Sequence, residues 1–259
     1  MPEGHLVHRL ARNLHPFVGR AVHASSPQGR FAAGAQAIDG AELESADAYG
    51  KHLLVGFRDE FLHIHLGRAG SMTAVDAATE AGPTVRLRLD FVGSDGAWQL
   101  VGPTICELIG PEQRAALLKR LGPDPLRSDD PEPAFARIRK RQTPIGALLL
   151  DQGIIAGAGN VFRAEILHLC RIHPDRPGAS LHDDDLSCLW DTLSRLMKRA
   201  MEQGRIVTAG PDALSALESG GTGRFVYRQD NCGACGGGIK SWALGGRTAY
   251  ACEACQPAA

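Results

Sequence analysis

No stretch of the 259 residues approaches the roughly 18 consecutive apolar residues that a membrane helix needs. The run 145–150, interrupted by Gly146, is among the longest. The opening Met1-Pro2-Glu3-Gly4-His5 lacks the basic-then-apolar pattern of a signal peptide, so the expectation is a soluble cytoplasmic protein. There is no charge excess of either sign, with 28 Lys plus Arg against 29 Asp plus Glu. No internal repeat or low-complexity segment interrupts the chain. Balanced charge and 44% hydrophobic residues exclude a disordered chain and supply a core for one large domain or two to three small ones.

The near-neutral total hides an asymmetry. Residues 1–136 carry 13 basic and 17 acidic side chains, whereas 137–259 carry 15 and 12. A basic half beside an acidic one is compatible with a local phosphate-binding face, and equally with solvated surface.

The seven cysteines are more informative. Cys232, Cys235, Cys252 and Cys255 read C-x2-C-x16-C-x2-C in a Gly-rich tail. Each C-x2-C forms a tight knuckle with two thiolates aimed at one centre, and the residues between suffice for a β-hairpin. Four soft thiolates in a tetrahedron make one closed, structural Zn2+ site. Paired disulfides are disfavoured because nothing marks the chain as secreted. The tail is too short to fold by apolar burial alone, so metal supplies much of its folding energy. Between the knuckles, 239–244 and 248–250 read as strands joined by Gly245-Gly246-Arg247, and Gly-Gly permits the positive φ of a tight turn. Arg247 then sits at or beside the hairpin tip, placed to meet a phosphate or simply solvated. Cys106, Cys170 and Cys188 lie in apolar surroundings and read as buried core thiols.

The remaining sequence divides in two. Leu6, Val7, Leu10 and Leu14 recur at helical spacing, Pro16 ends the run, and Pro2 stands at its start. Alternating runs at 51–57, 61–66, 84–91 and 98–101 read as strands, followed by a helix over 111–121. Gly122-Pro123-Asp124-Pro125 marks a boundary, beyond which helices are expected over 134–141, 143–150, 161–171 and 184–202. Thr143 is the expected N-cap of the second, with Pro144 at N1. Asn160, after the apolar Gly-rich 151–159, is the expected N-cap of the third, where free N–H groups attract an anion or simply end a helix. Asp183-Asp184-Asp185 suits a helix N-terminus. Arg137, Arg139, Lys140 and Arg141 suit either a solvated face or phosphate contacts. His63 and His65 share one strand face; with no carboxylate nearby in sequence, a metal pair there is disfavoured.

Three features in order carry a resemblance over nearly the whole chain. They are Pro2-Glu3-Gly4, the turn Leu149-Leu150-Asp151-Gln152…Ala156-Gly157-Ala158-Gly159-Asn160-Val161-Phe162-Arg163-Ala164-Glu165, and the terminal zinc hairpin. Together they resemble the formamidopyrimidine-DNA glycosylase/endonuclease VIII family. The opening and Ser25-Ser26-Pro27-Gln28-Gly29-Arg30-Phe31 look closest to its actinobacterial endonuclease VIII branch. The resemblance implies an α+β fold: an N-terminal β-sandwich with flanking helices (1–122), a helix-two-turns-helix domain (123–224) and a zinc-finger β-hairpin (225–259). It implies a monomer that binds damaged DNA, duplex or with single-stranded or bubble character, in the groove between the first domain and the other two. It further implies a bifunctional glycosylase and abasic-site lyase that excises oxidised bases, oxidised pyrimidines above all.

By this resemblance the nucleophile is the amine of Pro2 once Met1 is removed. A terminal amine has a pKa near 8, so on the order of a tenth is unprotonated at pH 7, and a helix N-terminus raises that fraction. Glu3 matches the proton donor, which needs a raised pKa. Lys51, in Tyr49-Gly50-Lys51-His52, matches a lysine used in lesion processing and phosphate contact. Asn160 and Arg247 match phosphate grips, Arg247 also serving δ-elimination, and Arg120 matches a further DNA contact. The chain departs from the family in two places. Gly67-Arg68-Ala69-Gly70 stands where relatives carry an intercalating wedge, leaving Arg68 or Met72 for that role. Leu6 stands where many relatives have Glu. Two other readings are a binding protein that holds damaged or abasic DNA without turnover, and a zinc-ribbon transcription or translation factor. The last gives no reason for Pro2-Glu3 or Lys51.

Overall fold

The computed structural model describes residues 2–209 and 223–258. The chain forms two compact units, Met1–Arg120 and Leu121–Ala259, each with its own apolar core.

The first unit opens with α1 (Gly4–Leu14), whose Val7, Leu10, Ala11 and Leu14 are buried at helical spacing. Helix formation begins at Gly4 with Glu3 as N-cap, so Pro2 lies before the helix and not in its first turn. The unit continues through β1 (Val22–Ser25), α2 (Ala32–Ile38), β2 (Leu43–Tyr49), β3 (His52–Phe57), β4 (Glu60–His65), β5 (Ser71–Asp76), β6 (Val85–Phe91), β7 (Gly96–Val101), β8 (Ile105–Ile109) and α3 (Pro111–Lys119). Two antiparallel four-stranded sheets result, ordered β1-β6-β7-β5 and β2-β3-β4-β8. Alternation along the strands turns Leu53, Val55, Leu62 and Ile64 of one sheet and Leu87, Leu89, Trp98 and Leu100 of the other into one shared core. Helix α1 packs on β2 and β3. The opposite face of the second sheet carries a smaller cluster, in which Leu117 of α3 covers Leu54 and Ile109.

The second unit contains α4 (Glu132–Arg139), α5 (Ile145–Leu148), α6 (Asn160–Leu169), α7 (Asp183–Gln203) and the antiparallel hairpin β9 (Ile239–Leu244) and β10 (Arg247–Cys252). Residues Asn160 to His168 are all buried, which makes α6 the central helix. Helix α7 lays Leu186, Leu189, Trp190, Leu193, Leu196 and Met197 against it and ends at Gly204, φ 73°. Cys232 and Cys252 belong to the same core, so the hairpin base is continuous with the helices.

Three local expectations change. Thr143 does not cap α5, whose N-cap is Pro144: the Ile145 and Gly146 N–H groups donate instead to Arg176 and Pro174 carbonyls, at 2.8 and 2.9 Å. Asn160 is the first residue inside α6, with Gly159 as N-cap. Cys170 and Cys188 are not separate buried thiols but a half-buried disulfide between the end of α6 and α7. Cys106 remains a free thiol, half-buried, pushed up to about 12 by burial. No helix among the described residues is long and apolar enough to cross a membrane.

Candidate active site and metal centre

In the first unit, Glu3 is fully buried at the N-terminus of α1, and its carbonyl accepts the Leu6 N–H at 3.0 Å. Pro2, half-buried, precedes it. His5 in the first turn is also buried. Loss of solvent foremost, then the positive amino terminus and His8, push its ring down to about 4. The β2–β3 hairpin on which α1 packs carries Lys51. Tyr49 pairs with His52, so Gly50 (φ 56°) and Lys51 form a two-residue turn and Lys51 sits just before the strand.

Beside Lys51 lies a group of rings. His52 Nδ1 is 2.9 Å from His63 Nε2, and His63 Nδ1 is 3.0 Å from Glu107 Oε1. His65 lies tilted against His52, ring centres 5.0 Å apart, and accepts the Gly67 N–H. Burial first, then His65, His63, Arg120 and Lys51, push His52 down to about 3. Arg120, the exposed C-cap of α3, is therefore close enough to act on this ring electrostatically. Glu107 is the carboxylate missing from the sequence neighbourhood of His63; the β4–β8 register supplies it directly opposite. Arg68 is exposed in the turn 67–70 between β4 and β5. Met72, expected as an alternative wedge, is 6% exposed and packed inward from β5, so it is unsuited to that role.

In the second unit, Asn160 and the hairpin come together through the Thr248 carbonyl. Asn160 Nδ2 donates to it at 3.1 Å and Arg163 Nη2 at 2.7 Å. Arg163, 1% exposed, also donates to the Gly146 and Leu244 carbonyls. The two residues thus fix both sides of the turn, where Gly245 and Gly246 (φ 61° and 71°) precede Arg247 at the start of β10. The carboxamide retains a second N–H on Nδ2, and its buried Oδ1 has no hydrogen-bond partner. Arg163 stood inside the recognised motif, but no sequence signal separated its scaffold role from an anion contact. Gln152 closes the preceding turn by bonding Leu150 O, Ala158 O and Gly157 N.

The four predicted cysteines converge, with ligand atoms all within 4.8 Å of one another. The Ala234 and Gly237 N–H groups donate to Cys232 and Cys235 Sγ, each at 3.4 Å, and Gly237 chiefly lowers Cys235 to about 7. Thiols so crowded and already solvated by N–H donors fit a tetrahedral Zn2+. His168 of α6 places Nε2 3.8 Å from Cys232 Sγ. The second knuckle is tied down by fully buried Gln256, which bonds the Cys252 N–H and Ile172 O.

Residues 1–101 match the family model of the formamidopyrimidine-DNA glycosylase N-terminal domain, and residues 121–210 that of the formamidopyrimidine-DNA glycosylase H2TH domain. The chain is 43% identical to endonuclease 8 1 of Mycobacterium tuberculosis over 99% of its own length and 100% of the relative's. The chain belongs to the formamidopyrimidine-DNA glycosylase/endonuclease VIII family. Within it, the formamidopyrimidine-DNA glycosylase of Geotalea uraniireducens is 30% identical, over 85% of this chain and 83% of that one. Lactococcus lactis formamidopyrimidine-DNA glycosylase, solved with DNA containing N7-benzyl-Fapy-dG, superposes with a TM-score of 0.81 at 26% identity, covering 99% and 100% of the two chains. The same enzyme bound to abasic-site DNA gives 0.80 at 25% identity. The fold is thus that of the family's DNA-repair glycosylases, and the cysteine cluster occupies its C-terminal zinc-finger position.

Proposed function

We propose that the protein is a bifunctional DNA glycosylase and abasic-site lyase of base excision repair, acting on oxidised bases and on pyrimidines in preference. The observation that carries this reading is Pro2 placed directly before a fully buried Glu3 at the start of α1. Full-length similarity to a protein named endonuclease 8 1 supports the lesion class.

With Met1 removed, the Pro2 secondary amine attacks the sugar C1′. The C1′–N bond breaks, the base leaves with a proton, and an iminium joins Pro2 to the ring-opened sugar. Glu3 supplies the proton that opens the sugar. The iminium draws electrons from C2′, a proton is lost there, and the bond from C3′ to its phosphate oxygen breaks. Lys51 takes part in lesion processing and, with Arg120, binds lesion-strand phosphates in the first unit. Asn160 and Arg247 do so in the second, and Arg247 assists δ-elimination. Cys232, Cys235, Cys252 and Cys255 hold one structural Zn2+ that keeps Arg247 on a rigid hairpin. Arg68 is the wedge, stacking its guanidinium in the vacated step. The protein works as a monomer in the cytoplasm, at the nucleoid when DNA-bound.

Incubation with a duplex carrying one oxidised pyrimidine tests the reading. The protein releases the base and cuts the strand, and does so faster than with an oxidised purine. Glu3→Gln slows base release by about 10²- to 10⁴-fold. Binding that weakens steeply with salt but never releases base would instead favour the non-catalytic reading.

A further inference from the structure

Cys170 is the C-cap of α6 and Cys188 lies in the second turn of α7. Their disulfide spans a sequence separation of 18 and brings the Cα atoms to 6.0 Å. It closes the connection 171–187, and the zinc hairpin rests on that connection. The His173 ring stacks on Trp242 of β9, centres 5.4 Å apart and planes 11° from parallel, and Asp175 Oδ1 accepts the Trp242 Nε1–H at 3.0 Å. The Ile172 carbonyl accepts from Gln256, the residue after the last zinc cysteine, at 2.8 Å. The Pro174 and Arg176 carbonyls hold the first N–H groups of α5. A Cβ at Gly146 of α5 would lie 2.7 Å from Leu244 Cδ2 and 3.0 Å from the Pro174 carbonyl, so hairpin, connection and α5 meet there with no room to spare.

Apolar packing does little to hold this connection. Within 171–187, Ile172, Leu181 and Leu186 are the residues that join the core of the second unit. Between Ile172 and Leu181 the chain is fixed by the Trp242 contacts, by backbone hydrogen bonds to α5 and to the chain before it, and by the Arg176–Asp185 ion pair at 2.8 Å. A cross-link at the two ends removes much of the freedom such a segment gains when it opens, so the bond favours the docked arrangement. Both sulfurs belong to half-buried residues. A disulfide that small thiols can reach is of the labile kind, and in a reducing compartment such bonds respond to redox state.

We propose that Cys170 and Cys188 form a reversible thiol–disulfide modification site whose oxidised form fixes the zinc hairpin in place and strengthens its hold on DNA. On reduction, the thiolate of a small-molecule thiol attacks one of the two sulfurs, forming a mixed disulfide and expelling the other as a thiolate. A second thiolate attacks the small-molecule sulfur of the mixed disulfide, and two protons from solvent leave two cysteine thiols and one small-molecule disulfide. Oxidation by that disulfide is the reverse. Reduction frees the connection, and with it the hairpin that carries Arg247. The DNA part of the proposal rests on the function and cytoplasmic placement proposed above. A repair protein for oxidised bases then grips DNA more tightly under the conditions that produce them.

The test equilibrates the zinc-loaded full chain with mixtures of reduced and oxidised glutathione, blocks free thiols by alkylation and maps them by mass spectrometry. Cys170 and Cys188 are expected to be bonded to each other in excess oxidised glutathione and free in excess reduced glutathione. On reduction, hydrogen exchange over 172–180 and 239–252 is expected to speed about tenfold, while β3 and β4 of the first unit keep their rates. Affinity for an abasic duplex falls about tenfold with it. A double variant, Cys170→Ser with Cys188→Ser, behaves as the reduced protein in both mixtures. It keeps Cys106 and the four zinc cysteines, so any effect of glutathione on those is common to both proteins. A pair that stays bonded in excess reduced glutathione overturns the proposal, and so does one that never forms. Exchange that is equal in the two forms also overturns it, as does DNA affinity that ignores the redox state. A protein that binds no abasic DNA in either form overturns the DNA-binding reading instead, and the exchange data still decide whether the bond docks the hairpin.

Discussion

His5 and His52 show how burial turns ordinary side chains in the first unit into sensitive ones. His5 and His52 titrate at about 4 and about 3 when folded, against an ordinary 6.5. The unfolded chain therefore binds protons that the folded one refuses. Stability is complete above about pH 6.5 and falls as pH drops from there toward 4 and 3, by roughly 1.4 kcal/mol per pH unit for each ring. Urea unfolding at neutral and mildly acidic pH checks this, and His52→Gln should flatten the slope. Arg163 is the corresponding residue of the second unit. Arg163→Met leaves the Gly146, Leu244 and Thr248 carbonyls without this donor, at roughly 1–3 kcal/mol for each one not re-solvated. The expected outcome is a lower urea midpoint and weaker DNA binding. Asn160 was legible as a polar residue at a helix start. Its bond to Thr248 was not, because the two residues are far apart in sequence and meet only through tertiary packing.

At the scale of elements, alternation and helical spacing were enough to find α1, β3, β4, β6, β7, α3, α4, α5, α6, α7 and both hairpin strands, each within a few residues. The elements not anticipated were β1, α2, β2, β5 and β8. Several of them, such as β5 with Ser71, Thr73 and Asp76, are exposed at many positions and carry little apolar pattern. Missing β8 also hid Glu107, the carboxylate directly opposite His63. The Cys170–Cys188 disulfide was hidden in the same way, since α6 and α7 bring the sulfurs together without any spacing rule. The zinc hairpin was the most legible element because thiolate chemistry constrains spacing. Chelation of the metal should unfold it, with a binding free energy on the order of 10 kcal/mol lost from the second unit. Far-UV and fluorescence changes near Tyr227 and Tyr250, together with lost DNA binding, report this. The Gly67–Gly70 turn makes a separate prediction. Arg68→Ala should slow excision from duplex about tenfold while sparing a lesion in single-stranded DNA, where no step needs filling. Equal losses on the two substrates would remove Arg68 from the wedge role.

For the molecule as a whole, two compact units with separate cores carry different parts of the chemistry. The proposed nucleophile Pro2, the proposed proton donor Glu3 and Lys51 belong to the first, and the proposed phosphate grips Asn160 and Arg247 to the second. The family was legible because its motifs lie near both chain ends and at the α6 turn. For the wedge the sequence left Arg68 or Met72, and burial of Met72 leaves Arg68 as the proposed residue. The central claim is that the Pro2 amine becomes covalently attached to the sugar. Borohydride reduction of the mature protein on an abasic oligonucleotide, followed by peptide mapping of the adduct, tests it most directly. The account predicts one adduct, on the residue-2 nitrogen, which disappears when an added N-terminal residue ties that nitrogen into an amide. An adduct on a lysine, or none at all despite DNA binding, would contradict it.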